Sequence, residues 1–366
     1  MARALELASQ ADGCLLPNPK VGAVIVYKEK IVGEGFHRGP GLPHAEVEAI
    51  RDAERKKFKN FSEAEIFINL EPCCAFEKKR TPGCAPLLVQ KKFARVIAAH
   101  LDPNPKVSGD GVKELKKGKI KVDVGCLANQ AAELNQAFIK NQQLGLPYVT
   151  IKMATTFDGR MADDFGSSQW ITGTESRASV HLLRHQVDAV GVGKNTVTAD
   201  QPFLNARLTM APAKKGSAPS PKKEAKMVVV FGEPHSKSLS NIVKANGPKN
   251  LIILKERAPL RDLLRPLYEE HGICHLLVEG GPKLIASFLE EGAVDEIIHF
   301  FGTGYLLGFG QNTLQSPPNL ALKIPRLKRL EASIKFQPKE VSLLGSDICA
   351  RGFLHVYRPY SKSRKS

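Results

Sequence analysis

The sequence predicts an α/β protein of two domains, and three observations carry that prediction. Short runs rich in Val and Ile recur along the chain and alternate with stretches of helix formers, the pattern of helices layered on sheets. The 366 residues are more than one core of ordinary size organises. Gln142 to Pro147 (QQLGLP) then punctuates the middle with Gly and Pro just before a fresh apolar strand. Domains are therefore expected at 1–145 and 146–366.

Residues 1–10 read as a short amphipathic helix, and Pro17 to Lys20 (PNPK) as a turn. VGAVIVY is a strand, a break follows at Lys28 to Lys30, and IVGEGFH is a second strand. Gly39 to Pro43 form a loop, after which HAEVEAIRDAERK holds good helix formers throughout. Ala64 to Glu71 is a third strand, Pro72 suits the opening of a helix or turn, and a helix near Cys84 covers APLLVQKK. Ala94 to Asp102 is a further strand, GDGVKELKKGKIKVDVG a helix-then-strand unit, and one helix from Leu127 to Asn141 closes the first half. The second half runs strand (YVTIKMAT), loop, helix (ESRASVHLLRHQ), strand (AVGVG), loop, then a Lys-rich low-complexity insert at about 211–226. Strands KMVVVFG and NLIIL, helix LRDLLRPLYEE and strand CHLLVE follow. The loop-to-helix turn GGPKLIASFLEEG and strand VDEIIHFF complete the pattern.

A formal charge of +16 raises the question of a nucleic-acid partner. Much of it lies in the insert and in the basic tail 361–366, which read as solvated segments. Aromatics are 7% and do not cluster with lysine, as a single-strand binder requires, so no nucleic acid is expected. No run of eighteen apolar residues exists, so no membrane span is expected, and MARALELASQ lacks the apolar core of a signal peptide. Seven cysteines, concentrated at 73–84, point to a reducing compartment and to metal or reactive thiols rather than disulfides. The cytoplasm is the expected location.

The chemistry concentrates between His44 and Cys84, where PHAEVEAI and LEPCCAFEKKRTPGC bring an imidazole, a carboxylate (Glu46) and thiols close in sequence. Taken singly, His44 reads as a surface His and the cysteines as small core residues. The order His-x-Glu, Pro-Cys, Cys is instead the signature of zinc-dependent nucleobase deaminases. His44, Cys73 and Cys84 are then the zinc ligands, with Cys74 spare. Only three ligands stand out, which leaves the open position of a catalytic rather than a structural zinc. Glu46 is the proton shuttle. In the second half no GxGxxG fingerprint occurs, since AVGVGKN has the wrong spacing. VEGGPKLIASF is the better phosphate candidate, a strand running into Gly280-Gly281 with Pro282 suited to the first helical turn.

PNPKVGAVIV, IVGEGFH, PHAEVEAI, LEPC, RTPGC and LDPNPKVSGDG together resemble the deaminase half of the bifunctional riboflavin-biosynthesis deaminase/reductases. KMATTFDGRMA, SSQWIT, LLRHQVDAVGVGKNTVTADQPFLNAR and LLVEGGPKL resemble its reductase half. The resemblance implies a cytidine-deaminase-like αβα domain followed by a dihydrofolate-reductase-like α/β domain. It implies one Zn²⁺ per chain and NADPH as cofactors, and a phosphorylated pyrimidine as substrate. Self-association is left open. In the first half it makes Asn18 and His37 substrate contacts. In the second it assigns Ala154, Trp170, Thr196, Asp200 and the turn Gly281, Pro282, Lys283, Leu284, Ile285, Ala286 and Ser287 to NADPH. Ser168, Arg184, Leu204, Arg207 and Glu279 would hold the substrate, with Lys152 and Asp200 carrying the polar chemistry beside the sugar. Two departures stand out. The loop Cys74 to Lys79 is about two residues longer than in relatives, although Arg80 remains, and HFFGTGYLLGFG leaves the pattern after the last strand. The rival readings are a nucleic-acid-editing deaminase and a zinc-stabilised binding module without catalysis, the latter indifferent to loss of Glu46.

Overall fold

The fold comes from a computed structural model that describes residues 1–11, 17–74, 83–105, 108–163, 168, 170–207, 226–255, 257–307 and 333–359. Most of the Lys-rich insert, the basic tail, Arg80 and nearly all of the loop 74–79 lie outside the described residues. The chain divides into two compact units, Met1–Gly145 with Tyr357–Ser366, and Leu146–Val356.

The first unit is a five-stranded sheet in the order β2-β1-β3-β4-β5. Its strands are β1 (Gly22–Tyr27), β2 (Lys30–Phe36), β3 (Glu65–Ile68), β4 (Arg95–Ala98) and β5 (Lys121–Val124). β1 runs antiparallel to both β2 and β3, whereas β3, β4 and β5 are mutually parallel. Side chains alternate across a strand. Ala23 and Ile25 of β1 therefore join Ala49 and Ala53 of α2 (Ala45–Arg55) and Leu88 of α3 (Cys84–Gln90), while Val24 meets Leu7 of α1 (Ala2–Ser9) on the opposite face. Leu115 of α4 (Asp110–Lys117) completes the first of these clusters.

Gly35 of β2 explains how closely α2 is seated. A Cβ there would lie 2.4 Å from the Ala49 nitrogen and 2.7 Å from the Ala45 carbonyl oxygen, both helix backbone. Gly35→Ala is therefore expected to destabilise the first unit by about 1–3 kcal/mol through overpacking, read from the denaturant midpoint of the full chain. An unchanged midpoint would show that α2 can move away from the sheet.

The helix expected from Leu127 to Asn141 is two helices, α5 (Ala128–Leu134) and α6 (Gln136–Leu144). The break is Asn135, whose φ is −119° and whose side chain accepts from the Lys20 N–H at 2.8 Å and donates to the Lys20 carbonyl at 2.9 Å. A side chain so engaged with remote backbone favours a break over continued helix. Pro72 opens no helix, for Glu71 to Cys74 have no regular structure. Tyr357 groups with the first unit. Its N–H donates to Gln136 Oε1 at 2.6 Å and its carbonyl accepts from Gln136 Nε2 at 2.8 Å.

The second unit is an eight-stranded sheet in the order β12-β13-β11-β6-β10-β7-β8-β9. Its strands are β6 (Tyr148–Thr156), β7 (Ala189–Gly193), β8 (Met227–Phe231), β9 (Leu251–Leu254), β10 (His275–Val278), β11 (Glu296–Gly302), β12 (Gln337–Leu344) and β13 (Asp347–Phe353). From β11 to β9 every pairing is parallel, and the β12–β13 hairpin adds antiparallel strands at one edge. A parallel sheet is covered on both faces. Leu276 and Val278 of β10 and Val229 of β8 pack on α10 (Leu260–Glu269) and α11 (Pro282–Glu290). Leu277, Val228 and Val230 face the other way, toward α8 (Lys194–Asp200) and α9 (Ser240–Asn246). α7 (Thr174–Gln186) covers β11 on that same side through Val180. The segment after AVGVG, expected as a loop, is thus helix α8. Its Asn, Thr, Val and Asp have modest intrinsic helix propensity, and the burial of Val197 against the sheet overrides it.

Candidate active sites

In the first unit His44 is the N-cap of α2, held extended at φ −71° and ψ 162°. Its Nδ1 lies 3.4 Å from Cys73 Sγ and 3.2 Å from Cys84 Sγ. The three donor atoms lie within 4.8 Å of one another. Ligands at 2.0 and 2.3 Å on a tetrahedral zinc would stand about 3.5 Å apart, so this donor set fits Zn²⁺ with one position left open. Cys84 is the first residue of α3, and its N–H points at Cys73 Sγ over 3.4 Å, while the Cys73 carbonyl accepts from Ala85 at 3.0 Å. The start of α3 and the end of the β3 loop are thus fastened together around the two sulfurs.

Glu46, in the first turn of α2, is 3% exposed. Burial and the neighbouring Cys73 push its carboxyl up to about 7, a range in which a carboxyl both takes and gives protons. His37 stands beside His44, ring centroids 5.5 Å apart. Its Nδ1 is 3.1 Å from the Pro43 carbonyl, which can only accept, so Nδ1 carries the hydrogen and Nε2 accepts from Asn18 Nδ2 at 3.1 Å. Burial lowers the pKa of this imidazole and favours that neutral form. The turn bearing Asn18 is pinned through Lys20, whose carbonyl accepts from Asn69 at 2.9 Å.

Sequence reasoning gave Glu71 no role. Its buried carboxylate accepts three backbone N–H groups, from Asp102 at 2.9 Å, Gly109 at 2.9 Å and Val112 at 3.0 Å. It thereby ties the loop after β4 to the strand end that carries Cys73. Glu71→Leu would strand those donors. We expect it to weaken zinc binding roughly 10–100-fold, measured by chelator competition. Retained affinity would mean that Cys73 is positioned without this loop.

In the second unit a cavity of ≈ 850 Å³ opens at the carboxyl ends of β6, β10, β7 and β8. Ligands of open parallel sheets bind at such strand ends. Lys152, Ala154, Ser168, Arg184, Thr196, Asp200, Leu204, Glu279, Gly281, Pro282, Lys283, Leu284 and Ser287 line it. Trp170 and Arg207 are not among its lining residues. Trp170 is 64% exposed with the Arg177 guanidinium 4.6 Å over its ring, and Arg207 lies over Phe203 at 5.8 Å. Ile285 and Ala286 follow the α11 turn into the core beneath, a consequence of helical period rather than of the turn itself. Lys194, Asn195 and Arg257, which the sequence reading passed over, also line the cavity. The signal for the first two was a strand-to-helix junction at AVGVGKN, obscured by the search for a GxGxxG spacing.

A buried ion cluster sits in this cavity. Arg184 donates Nε to Glu279 Oε1 at 2.6 Å and Nη2 to Oε2 at 3.0 Å, and Lys152 Nζ stands 4.0 Å from Oε2. Burial lowers the Lys152 pKa, opposed by Glu279 and assisted by Arg184, and loss of water around Asp200 raises its carboxyl. The cradle suits a dinucleotide. Gly281 caps α11, whose first N–H groups can receive phosphate, and Thr196 Oγ1 would lie 3.5 Å from a Cβ at Gly281.

Comparison with known proteins fits this geometry. The family description "Cytidine and deoxycytidylate deaminase zinc-binding region" matches residues 1–100, and "RibD C-terminal domain" matches residues 147–350. The chain is 38% identical to the riboflavin biosynthesis protein RibD of Aquifex aeolicus, over 95% of this chain and 96% of that protein. It is 34% identical to the RibD of Escherichia coli, over 95% and 97%. Acinetobacter baumannii RibD superposes with a TM-score of 0.80 at 33% identity, covering 96% of this chain and 97% of that one. A Thermotoga maritima diaminohydroxyphosphoribosylaminopyrimidine deaminase/5-amino-6-(5-phosphoribosylamino)uracil reductase gives 0.76 at 32% identity, covering 98% and 97%.

Proposed function

The chain belongs to the RibD family of bifunctional riboflavin-biosynthesis enzymes, and from that premise we propose how its own residues carry the two reactions. It is a deaminase and a reductase in one chain, acting on 2,5-diamino-6-(ribosylamino)-4(3H)-pyrimidinone 5′-phosphate and then on the uracil that results. The deaminase is assigned to the first unit and the reductase to the second.

His44, Cys73 and Cys84 would hold Zn²⁺, which would lower the pKa of a coordinated water to about 7. Glu46 accepts the proton as the water oxygen bonds to the ring carbon. It passes that proton to the 2-amino nitrogen, which leaves as ammonia when the C–N bond breaks, and the remaining hydroxyl proton ends on the ring nitrogen as the carbonyl forms. Asn18 and His37, fixed in one tautomer, present the ring to this group. In the second unit the lined cavity would hold NADPH, which would supply the hydride that opens and reduces the ribosyl chain at C1′. Lys152, made a readier acid by its burial, delivers the proton to the ring oxygen, with Asp200 across the cavity. Arg184 and Glu279 orient the sugar phosphate and its hydroxyls.

The observation that carries the deaminase reading is the convergence of one imidazole and two thiols beside a buried carboxyl two residues from the imidazole. The partner is proposed to be this free small molecule rather than a nucleic acid. No helix among the described residues is long and apolar enough to cross a membrane. The cytoplasm remains the proposed location, resting on the concentration of cysteines at 73–84 in the sequence. The test supplies the zinc-loaded chain with the diaminopyrimidinone phosphate. Ammonia should appear without NADPH, and NADPH should be oxidised only after deamination. Neither signal would sink the reading.

A further inference from the structure

After α8 the chain runs through an irregular segment, 201–207, whose Leu204 lines the second unit's cavity. Gln201 and Leu204 stand at φ +43° and +54°, a left-handed backbone that persists only where the surroundings hold it. The holders are side chains, and they take every second residue. Asn241 and Asn246 of α9 donate to the carbonyls of Gln201 at 2.7 Å and Phe203 at 2.8 Å. From α7, Arg184 Nη1 donates to the Asn205 carbonyl at 3.3 Å, and His181 Nδ1 accepts the Arg207 N–H at 3.2 Å. His181 and Arg184 are three residues apart and so are neighbours on one face of that helix.

Of these four holders, His181 alone changes charge near neutral pH. A ring nitrogen that accepts an N–H carries no hydrogen, so the imidazole holding Arg207 is neutral. Protonation would set a second donor against the Arg207 N–H and end the bond. The half-buried ring faces Arg184 on its own helix, Arg207 and the Asn205 carbonyl on the segment, and Glu279 beyond β10. Burial and the two arginines lower its pKa from the ordinary 6.5, opposed by the Asn205 carbonyl and Glu279. The bond is therefore present at neutral pH and is lost only as the pH falls below 6.5.

We propose that His181 is a positioning residue of the reductase, holding the 204–207 segment in the shape that meets the substrate and tying substrate affinity to pH; this rests on reading Leu204 and Arg207 as substrate contacts. The cofactor's hold and the hydride step do not depend on this bond. Thr196 and Asp200 lie on α8 ahead of the segment, and Lys152 lies on β6.

Steady-state kinetics of the full chain with the deaminated substrate and saturating NADPH test this between about pH 7.5 and about pH 5.5. His181→Leu removes the acceptor and strands the Arg207 N–H. It should raise the substrate KM about 10-fold at neutral pH while kcat changes less than about 3-fold. His181→Asn sets an amide oxygen where Nδ1 stood and does not titrate. It should recover most of the neutral-pH KM and keep it on acidification, where the wild type climbs toward His181→Leu. The substrate's own phosphate, with a second pKa of about 6, titrates alike against all three chains, so the difference between them is the readout. NADPH should bind each variant with wild-type affinity, which shows the cavity intact. Losses shared by NADPH, or an acid-side rise that His181→Asn retains in full, would make His181 a structural support and overturn the proposal. So would an unchanged KM in His181→Leu. If Leu204→Ala and Arg207→Ala both left KM unchanged, the substrate reading itself would fail, and the proposal with it.

Discussion

Glu46→Gln is expected to slow ammonia release by roughly 10²–10⁴-fold while the chain keeps its zinc. Gln preserves the volume of a side chain that is 3% exposed, so α2 and its N-cap His44 stay in place. The three donor atoms are not touched, and their mutual fit does not depend on Glu46. What the amide lacks is the ability to take a proton and return it. The measurement pairs an ammonia assay with metal content, so that loss of chemistry is separated from loss of metal. Zinc loss accompanying the rate loss would make Glu46 a support of the site rather than its shuttle. Full ammonia release by the variant would remove Glu46 from the chemistry.

Arg184→Met is expected to cost about 3–5 kcal/mol of stability in the second unit. The pair it breaks is largely buried, with side-chain exposures of 13% for Arg184 and 7% for Glu279. Lys152 at 4.0 Å remains as a partial partner, which favours the lower end of that range. Burial alone would raise the Glu279 pKa, but the Arg184 charge and hydrogen bonds, with Lys152 behind them, hold the carboxyl below its ordinary 4.5. A depressed carboxyl stabilises the fold fully above its unfolded value and loses that contribution as pH falls through the folded one. The wild type should thus lose extra stability below about pH 4.5, and Arg184→Met should lack that part of the slope. Denaturant titrations between neutral pH and pH 3 would show it. Parallel curves would mean that solvent already screens the pair. Arg184→Met with Glu279→Leu should recover much of the loss, because the uncompensated charge is then gone.

Most of the parallel core was legible because buried strands such as AVGVG and MVVVF are nearly continuous apolar runs. The convergence of His44, Cys73 and Cys84 was legible because their residue types are rare and their order is constrained by chemistry. What escaped depends on tertiary context. β12 is exposed at most positions on a sheet edge, so it shows no apolar period, and its hairpin with β13 was not foreseen. α8 is held by Val197 beneath it rather than by propensity, and Asn135 breaks a helix only because Lys20 is there to bind. In the reductase cavity, the family pattern indicated residues along the chain but not which way they face. Ile285 and Ala286 share a turn with Lys283 yet are buried beneath it.

The pairing of Tyr357 with Gln136 has a consequence for the order in which the protein comes to exist. The first unit draws on both ends of the described chain, and the whole second unit, residues 146–356, is threaded between them. On a ribosome adding roughly 5–20 residues per second, the segment that holds Gln136 waits about 10–40 s for its partner. The zinc-bearing half is thus the first to begin folding and the last to be finished, with a complete reductase core made in the interval.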